Sequence, residues 1–201
     1  MRSLLCFLVL LLVGAPSVFS QTTFSLVGPV NARPGTTVSL SVCIKGGSPA
    51  GIQWTLGYPA NYTGTAVAGT EAIAAGKTLA CGTLSEVCLV YGINANLIAD
   101  GAVATYSIPI PLTATPGLVP IPLTGLVAAS VLGDEIPSLE GVPYSLLVLG
   151  KTDLNGDGHT DDADINLMVR QALRLAPCTG DQNGDAKCNL IDVILVIRGR
   201  D

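Results

Sequence analysis

The sequence predicts a mainly β protein, a β-sandwich followed by a small α-helical unit. Residues 21–150 consist of short strand-like segments separated by Gly, Pro and Asn, and they carry nine charged side chains. Residues 151–201 carry fifteen, nine of which are Asp. Because composition changes so sharply near Gly150, we expect a domain boundary there, with residues 150–152 as a short linker.

Residues 1–20 have the pattern of a secretory signal peptide. Arg2 precedes an unbroken apolar run at residues 4–13, and small residues precede Gln21. A helix of ten residues spans about 15 Å, roughly half of the hydrocarbon core of a membrane, so a membrane anchor is the weaker interpretation. We therefore expect an exported, extracellular mature chain without a membrane span.

Seven segments of residues 21–150 are predicted strands: 24–27, 37–44, 51–57, 87–93, 103–110, 118–129 and 144–149. Polar and apolar residues alternate in residues 37–42, which is typical of a half-buried strand. The same alternation in residues 51–57 places Trp54, the single Trp, on an apolar face. Only residues 71–75 suggest a helix, so two packed sheets are the favoured arrangement.

Charge and composition exclude some functions. The net charge is -5 and the isoelectric point is near 4.7, whereas nucleic-acid binding needs a basic face. His159 is the one histidine, so a Ser-His-Asp or Cys-His catalytic centre would depend on it.

Five cysteines follow residue 20. Export favours disulfides, and the close pairs Cys81–Cys88 and Cys178–Cys188 are the simplest assignment, although spacing alone does not determine the connectivity. Cys43 is left over, and we expect it to be a small buried residue.

The first half resembles the cohesin module in several segments that occur in order along the chain. These are residues 33–38 (RPGTTV), 50–59 (AGIQWTLGYP), 89–93 (LVYGI), 100–105 (DGAVAT), 126–130 (LVAAS) and 135–137 (EIP). The resemblance implies a nine-stranded jelly-roll β-sandwich of cellulosome-type assemblies. Some carbohydrate-binding modules share this sandwich, so the fold alone does not determine the function.

The second half contains a duplicated acidic loop. DLNGDGHTDDAD begins at Asp153, and DQNGDAKCNLID begins 28 residues later at Asp181. Oxygen-bearing side chains at loop positions 1, 3, 5, 9 and 12, together with the backbone carbonyl of position 7, form the ligand pattern of EF-hand-type Ca²⁺ loops. The predicted ligands of two Ca²⁺ ions are Asp153, Asn155, Asp157, His159, Asp161 and Asp164, and then Asp181, Asn183, Asp185, Lys187, Asn189 and Asp192.

An apolar stripe with helical spacing follows each loop, and we expect both stripes to form the core between two helices. The stripes are Ile165, Met168, Val169, Ala172 and Leu173, and then Val193, Ile194, Val196 and Ile197. These two loop–helix repeats resemble dockerin, a duplicated calcium module, over residues 153–201. The resemblance implies that the residues that contact a cohesin partner are Asp162, Ala163, Arg170, Leu190, Ile191 and Arg198.

The two loops are not equivalent. The first offers four carboxylates, whereas the second offers three and also contains Lys187. Position 6 is Gly158 in the first loop and Ala186 in the second, and a left-handed backbone there costs Ala about 1 kcal/mol or more. We therefore expect the first loop to bind Ca²⁺ more tightly.

Together these features predict a secreted, non-catalytic, calcium-dependent protein–protein assembly protein in a polysaccharide-degradation or cell-surface setting. Its partner would be a cohesin- or dockerin-bearing protein, and a second copy of the chain is one such partner. One alternative is a carbohydrate-binding protein carrying a dockerin, which needs a planar row of exposed aromatic rings. Its candidate rings are Trp54, Tyr58, Tyr62, Tyr91, Tyr106 and Tyr144. The other is a small glycoside hydrolase, which needs two carboxylates about 5–10 Å apart.

Overall fold

The computed structural model describes residues 21–82 and 87–200, so the predicted signal peptide lies outside the described residues. Strands account for 38% of the structure and helices for 14%, which confirms a mainly β fold. Within the described ranges no helix is long and apolar enough to cross a membrane.

The first half contains thirteen described strands and one short helix, α1 (Thr70–Ala74). The strands are β1 (Thr22–Val27), β2 (Asn31–Ala32), β3 (Thr37–Lys45), β4 (Gly51–Leu56), β5 (Thr65–Ala68), β6 (Thr78–Cys81), β7 (Val87–Tyr91), β8 (Gly101–Pro109), β9 (Gly117–Ile121), β10 (Leu123–Ala129), β11 (Glu135–Ile136), β12 (Ser138–Glu140) and β13 (Tyr144–Val148). The predicted strand at residues 118–129 is two strands, β9 and β10. Pro122 separates them, because proline has no N–H to donate to the ladder.

The strands form two five-stranded sheets and a smaller third sheet. The first sheet has the order β12-β1-β3-β8-β5, and the second has the order β11-β10-β4-β7-β6. The third sheet has the order β2-β13-β9, and the chain continues from its strand β13 into the second half. The strands outnumber the nine implied by the resemblance because several are edge segments of two to four residues.

The core lies between the two large sheets, and the predicted alternation is observed. Buried and outward-facing residues alternate through β3 and through β4. Trp54 is fully buried in β4, and its Nε1 donates a hydrogen bond to Tyr106 Oη at 3.0 Å. Tyr106 Oη in turn lies 2.8 Å from Cys88 Sγ, so one buried polar group links the two large sheets.

Both predicted disulfides, Cys81–Cys88 and Cys178–Cys188, are present. The expected burial of Cys43 is wrong, because this free cysteine is only half-buried. It lies between buried Val42 and Ile44 in β3, so the alternation of the strand turns its side chain outward. Partial burial raises the pKa of the Cys43 thiol above its ordinary value.

The second half consists of two helices, α2 (Asp162–Ala172) and α3 (Leu190–Arg198), each of which directly follows one acidic loop. Their small core contains Met168, Val193 and Val196. Three residues of the predicted stripes, Leu173, Ile194 and Ile197, are exposed instead. Because α3 is apolar on nearly all sides, its one neighbouring helix cannot cover every apolar residue.

Replacing Tyr106 by Phe should destabilise the β-sandwich. The change removes the acceptor of the buried Trp54 N–H, and a buried donor without a partner costs about 1–3 kcal/mol. Urea unfolding monitored by circular dichroism should report this loss. The matched control is Tyr91→Phe, whose side chain is exposed in β7 and should change stability by less than about 0.5 kcal/mol. Equal stabilities for the two variants would contradict the buried link.

Candidate functional site

The two acidic loops fold through the same hydrogen bonds. The carboxylate of Asp153, at position 1, accepts the backbone N–H groups of Gly156 at 2.7 Å and Gly158 at 2.9 Å. Asp181, at position 1 of the second loop, accepts those of Gly184 and Ala186, both at 2.7 Å. The repeat inferred from the sequence is therefore also a repeat in backbone geometry.

Short side chains at positions 3 and 5 shape the middle of each loop. Asn155 Oδ1 accepts the N–H of Asp157 at 3.0 Å, and Asp157 Oδ1 accepts the N–H of His159 at 3.0 Å. Asn183 and Asp185 accept the equivalent bonds in the second loop. The hydrogen bond from His159, followed by that from the Asn155 amide, lowers the pKa of Asp157, which keeps this carboxylate charged.

The aspartates at position 12 connect the loops to the helices. Asp164 accepts the N–H groups of Leu154 at 2.7 Å, Asn155 at 3.0 Å and Asp161 at 2.9 Å. Asp192 accepts equivalent bonds from residues 182 and 189. Burial raises the pKa of Asp192, but these backbone donors outweigh burial and the net shift is downward. Asp192 is therefore held as an anion in a buried position.

Helix formation begins in the same residues. Asp161 and Asn189, at position 9, are the N-caps of α2 and α3, and each accepts an N–H two residues further on at 2.8 Å. With the position-12 aspartates they complete two capping boxes, which satisfy N–H groups that a helix start otherwise leaves without partners. Loop and helix are therefore one structural unit in each repeat.

The loops bury acidic side chains. Asp153 is 1% exposed, and Asp164 and Asp192 are 0% exposed. Among residues 21–82 and 87–200 there is one salt bridge, between Arg200 and Asp162, and it involves none of these three carboxylates. A buried carboxylate is costly without an opposite charge, so the loops fit a bound cation, and their oxygen donors fit Ca²⁺.

The carboxylates alone do not complete such a site. No group of three or more His, Cys, Asp and Glu side chains in the described part of the chain is close enough to hold a metal. A Ca²⁺ loop also uses amide and backbone carbonyl oxygens, here of Asn155 or Asn183 and of the residue at position 7. The side chains of His159 and Lys187 are exposed, which fits their predicted role as carbonyl donors.

The backbone at position 6 is left-handed in both loops, as predicted from the sequence. Gly158 has a φ of 97° and Ala186 a φ of 62°. The left-handed region costs a residue with a Cβ roughly 1–2 kcal/mol. Only the second loop carries this strain.

The six predicted partner-contact residues, Asp162, Ala163, Arg170, Leu190, Ile191 and Arg198, are all exposed. Residues outside the motif also shape the site. Gln171 is buried, and its Oε1 accepts the N–H groups of Thr179 and Gly180 at 2.8 Å, which ties α2 to the start of the second loop. No local pattern distinguishes this glutamine from an exposed helical residue.

The aromatic side chains do not form the row that a sugar-binding face needs. Trp54, Tyr62 and Tyr106 are buried, and Tyr58 and Tyr144 are half-buried. Among the described tryptophan and tyrosine residues, Tyr91 is the one exposed ring. A cleft of about 720 Å³ between the halves includes Arg33, Lys151 and Leu154 in its lining, and its one acidic lining residue is Asp181. This described cleft therefore lacks the carboxylate pair of a glycoside hydrolase.

No family model matches the chain, and no curated protein matches it in sequence. Solved structures do match in fold, and the matches are cohesin modules. CaCohA2 from Clostridium acetobutylicum matches with a TM-score of 0.50 and 16% identity, over 64% of this chain and 90% of that one. A non-cellulosomal cohesin from Archaeoglobus fulgidus gives a TM-score of 0.53 and 13% identity, over 67% and 96%. The first half therefore has a cohesin-like fold.

A third similar structure is the type I cohesin–dockerin complex Coh-OlpA-Doc918 from Clostridium thermocellum. Its matching chain gives a TM-score of 0.52 and 17% identity, over 64% of this chain and 99% of that one. At these identities the likeness concerns the fold alone. The dockerin resemblance of residues 151–201 rests on the sequence pattern and stays a prediction.

The first loop should bind Ca²⁺ more tightly than the second. Asp185→Ala leaves the first loop intact and Asp157→Ala leaves the second, so calorimetric titration of the two variants compares the loops. The additional carboxylate and Gly158 should give the Asp185→Ala chain at least about fivefold higher affinity, the equivalent of about 1 kcal/mol of backbone strain. Equal affinities would contradict the prediction.

Ala186→Gly should improve the second loop by removing the left-handed strain at position 6. In the Asp157→Ala background we expect a gain in Ca²⁺ affinity of about twofold to fivefold, which is less than the full strain because Gly also gains freedom in the unfolded chain. Gly158→Ala in the Asp185→Ala background is the mirror variant. It should weaken Ca²⁺ binding by the first loop, and by more than the backbone strain alone, since a Cβ there would lie 3.2 Å from Leu147 Cδ2. A lower Ca²⁺ affinity of the second loop in the Ala186→Gly variant would contradict backbone strain at Ala186.

Proposed function

We propose that this chain is a secreted, non-catalytic assembly protein that associates in a Ca²⁺-dependent manner, with a second copy of itself as the partner. The observation that carries the proposal is the exposed apolar face of α3, attached to calcium-type loops and joined to a cohesin-like sandwich. The apolar leader and the two disulfides support export. A polysaccharide-degradation or cell-surface setting is part of the same proposal.

Calcium would be held by residues of this chain in two places. The first site would use the side-chain oxygens of Asp153, Asn155, Asp157, Asp161 and Asp164 with the carbonyl of His159. The second would use those of Asp181, Asn183, Asp185, Asn189 and Asp192 with the carbonyl of Lys187. Bound Ca²⁺ supplies positive charge that balances the buried carboxylates, so binding and folding of the two helices are coupled.

The helical docking surface lies on α3. Leu190 is 69% exposed, and Ile191, Ile194 and Ile197 are also exposed. The residues 28 positions earlier, on α2, are Asp162, Ala163, Asn166 and Val169. Asp162 is moreover paired with Arg200 at 3.0 Å. The apolar surface therefore belongs to the second repeat, with Arg198 at its end.

A matching surface lies on the sandwich. The strands β10, β4, β7 and β6 contain no charged residue, and their outward positions include Leu89, Tyr91 and Val127, all exposed. The other large sheet turns hydroxyl side chains outward, as at Ser39 and Ser41 in β3. An uncharged, partly apolar sheet face suits the apolar face of α3.

Docking of α3 on the sheet of a second copy would join two different surfaces. Such a contact is heterologous, so it produces closed rings if the rotation between copies closes and open chains if it does not. The Coh-OlpA-Doc918 structure is a complex between a cohesin and a dockerin, which supports a dockerin-type surface as the ligand of a cohesin-like sheet.

Self-association should require both Ca²⁺ and the apolar face of α3. Sedimentation velocity of residues 21–201 over a concentration series should show growth beyond monomer in Ca²⁺ and reversal by excess EDTA. Leu190→Asp should weaken association by about thirtyfold or more, the equivalent of a hot spot of about 2 kcal/mol. The matched control is Leu175→Asp, because Leu175 is 67% exposed but lies outside the proposed surface.

Complementation tests the pairing of the two surfaces. Leu190→Asp removes the helical surface and Leu89→Asp removes the sheet surface, so each variant alone should remain monomeric. Mixed in Ca²⁺, the two should form a one-to-one dimer through the pair of intact surfaces. A mixture that stays monomeric would contradict docking of α3 on this sheet, and a chain that is monomeric in Ca²⁺ would contradict self-association.

A further inference from the structure

Two side chains of the β-sandwich reach across to the first acidic loop. The Arg33 guanidinium donates hydrogen bonds to the backbone carbonyl of Gly150 at 3.2 Å and to that of Asp153. The Asn31 amide donates to the carbonyl of Gly156 at 3.4 Å. Positions 1 and 4 of the first loop are thus held by the sandwich as well as by their own hydrogen bonds.

The support for these side chains is rigid. β2, which contains Asn31, pairs in parallel with β13, and the N–H of Leu149 donates to the carbonyl of Ala32 at 2.9 Å. The carbonyl of Arg33 accepts both the N–H and the hydroxyl of Thr36. The backbone that carries both donors is therefore held by hydrogen bonds that do not involve the loop.

The first loop also packs closely on the sandwich. A Cβ built on Gly156 would lie 3.6 Å from Leu149 Cδ1, and one built on Gly158 would lie 3.2 Å from Leu147 Cδ2. Both leucines belong to the β13 end of the sandwich. Backbone of the loop therefore contacts the side chains of the sheet with little space between them.

We propose that Arg33 is a positioning residue for the first calcium loop, so that Ca²⁺ binding and attachment of this loop to the β-sandwich stabilise each other. The inference rests on the proposed calcium function. By holding the carbonyl of Asp153, Arg33 reduces the freedom that the loop must lose when it closes on an ion. Because thermodynamic coupling is reciprocal, Ca²⁺ in the loop must strengthen the junction by the same factor.

The second loop has a different attachment. In the part of the chain that the structure describes, Lys151 Nζ donates to the carbonyl of Gln182, and the Gln182 amide donates to the carbonyl of Lys151 at 3.4 Å. These bonds join the second loop to the linker rather than to the sandwich. Arg33 also holds the Gly150 carbonyl of this linker, but among the described hydrogen bonds it makes none to the second loop itself. Loss of Arg33 should therefore affect the first loop most, and the second loop is an internal control.

The charge of Arg33 acts in the opposite direction, because a guanidinium near the loop repels Ca²⁺. This repulsion is screened by salt, and at 1 M ionic strength the Debye length falls to about 3 Å. The positioning effect comes from direct hydrogen bonds and is not screened in this way. Titrations in 1 M KCl therefore reduce the contribution of the repulsion and leave the positioning effect.

The test compares Arg33→Ala with Lys45→Ala, which removes a positive charge from an exposed position in β3. Each change is made in the Asp185→Ala and the Asp157→Ala backgrounds, and Ca²⁺ is titrated calorimetrically in 1 M KCl. Arg33→Ala should lower the affinity of the first loop about fivefold to tenfold and leave the second within twofold. Lys45→Ala should change neither. An unchanged second loop also shows that the helical half of the variant is folded, and circular dichroism checks the β-sandwich.

Amide hydrogen exchange gives the reciprocal measurement. Ca²⁺ should slow exchange of the Leu147 and Leu149 amides, which donate to the carbonyls of Val30 and Ala32, in the natural chain but not in Arg33→Ala. Ca²⁺ binding by the first loop with no effect of Arg33→Ala on affinity or exchange would overturn the coupling and leave the proposed function intact. Absence of Ca²⁺ binding in the Asp185→Ala chain would overturn both.

Discussion

Three buried carboxylates dominate the chemistry of the helical half. Asp153, Asp164 and Asp192 lie out of contact with solvent, and their hydrogen-bond partners are backbone N–H groups rather than cationic side chains. Backbone dipoles lower the cost of such burial, but a full opposite charge lowers it far more. Two of them, Asp164 and Asp192, also complete the capping boxes of α2 and α3, so the charge of the loops and the start of each helix are linked.

The sandwich has a different basis of stability. Its core is a continuous apolar layer around Trp54, with Tyr106 as the buried polar link between the sheets, and this core cluster contains no residue of the acidic loops. The two halves meet where Arg33 and Asn31 hold backbone carbonyls of the linker and the first loop. The sandwich thus carries a unit whose order depends, in our proposal, on Ca²⁺.

Features encoded by local sequence patterns were predictable. Alternation located β3 and β4 and the burial of Trp54, and the spacing of oxygen side chains located both loops and the left-handed position of Ala186. Features that depend on distant partners were not. The sequences of β5 (TAVA) and β6 (TLAC) show little alternation of polar and apolar residues. The contact of Arg33 with Asp153 spans 120 residues. The exposure of Ile194 arises because α2 covers only part of the apolar surface of α3.

The most direct test of calcium-coupled folding is a ¹H–¹⁵N NMR comparison of residues 21–201 in Ca²⁺ and in excess EDTA. Removal of Ca²⁺ should collapse the amide signals of α2, α3 and both loops into the narrow range of an unfolded segment, while the dispersed signals of the β-sandwich remain. Signals of residues 153–198 that are equally dispersed in both conditions would contradict the proposed role of Ca²⁺, because the buried carboxylates would then be tolerated without it.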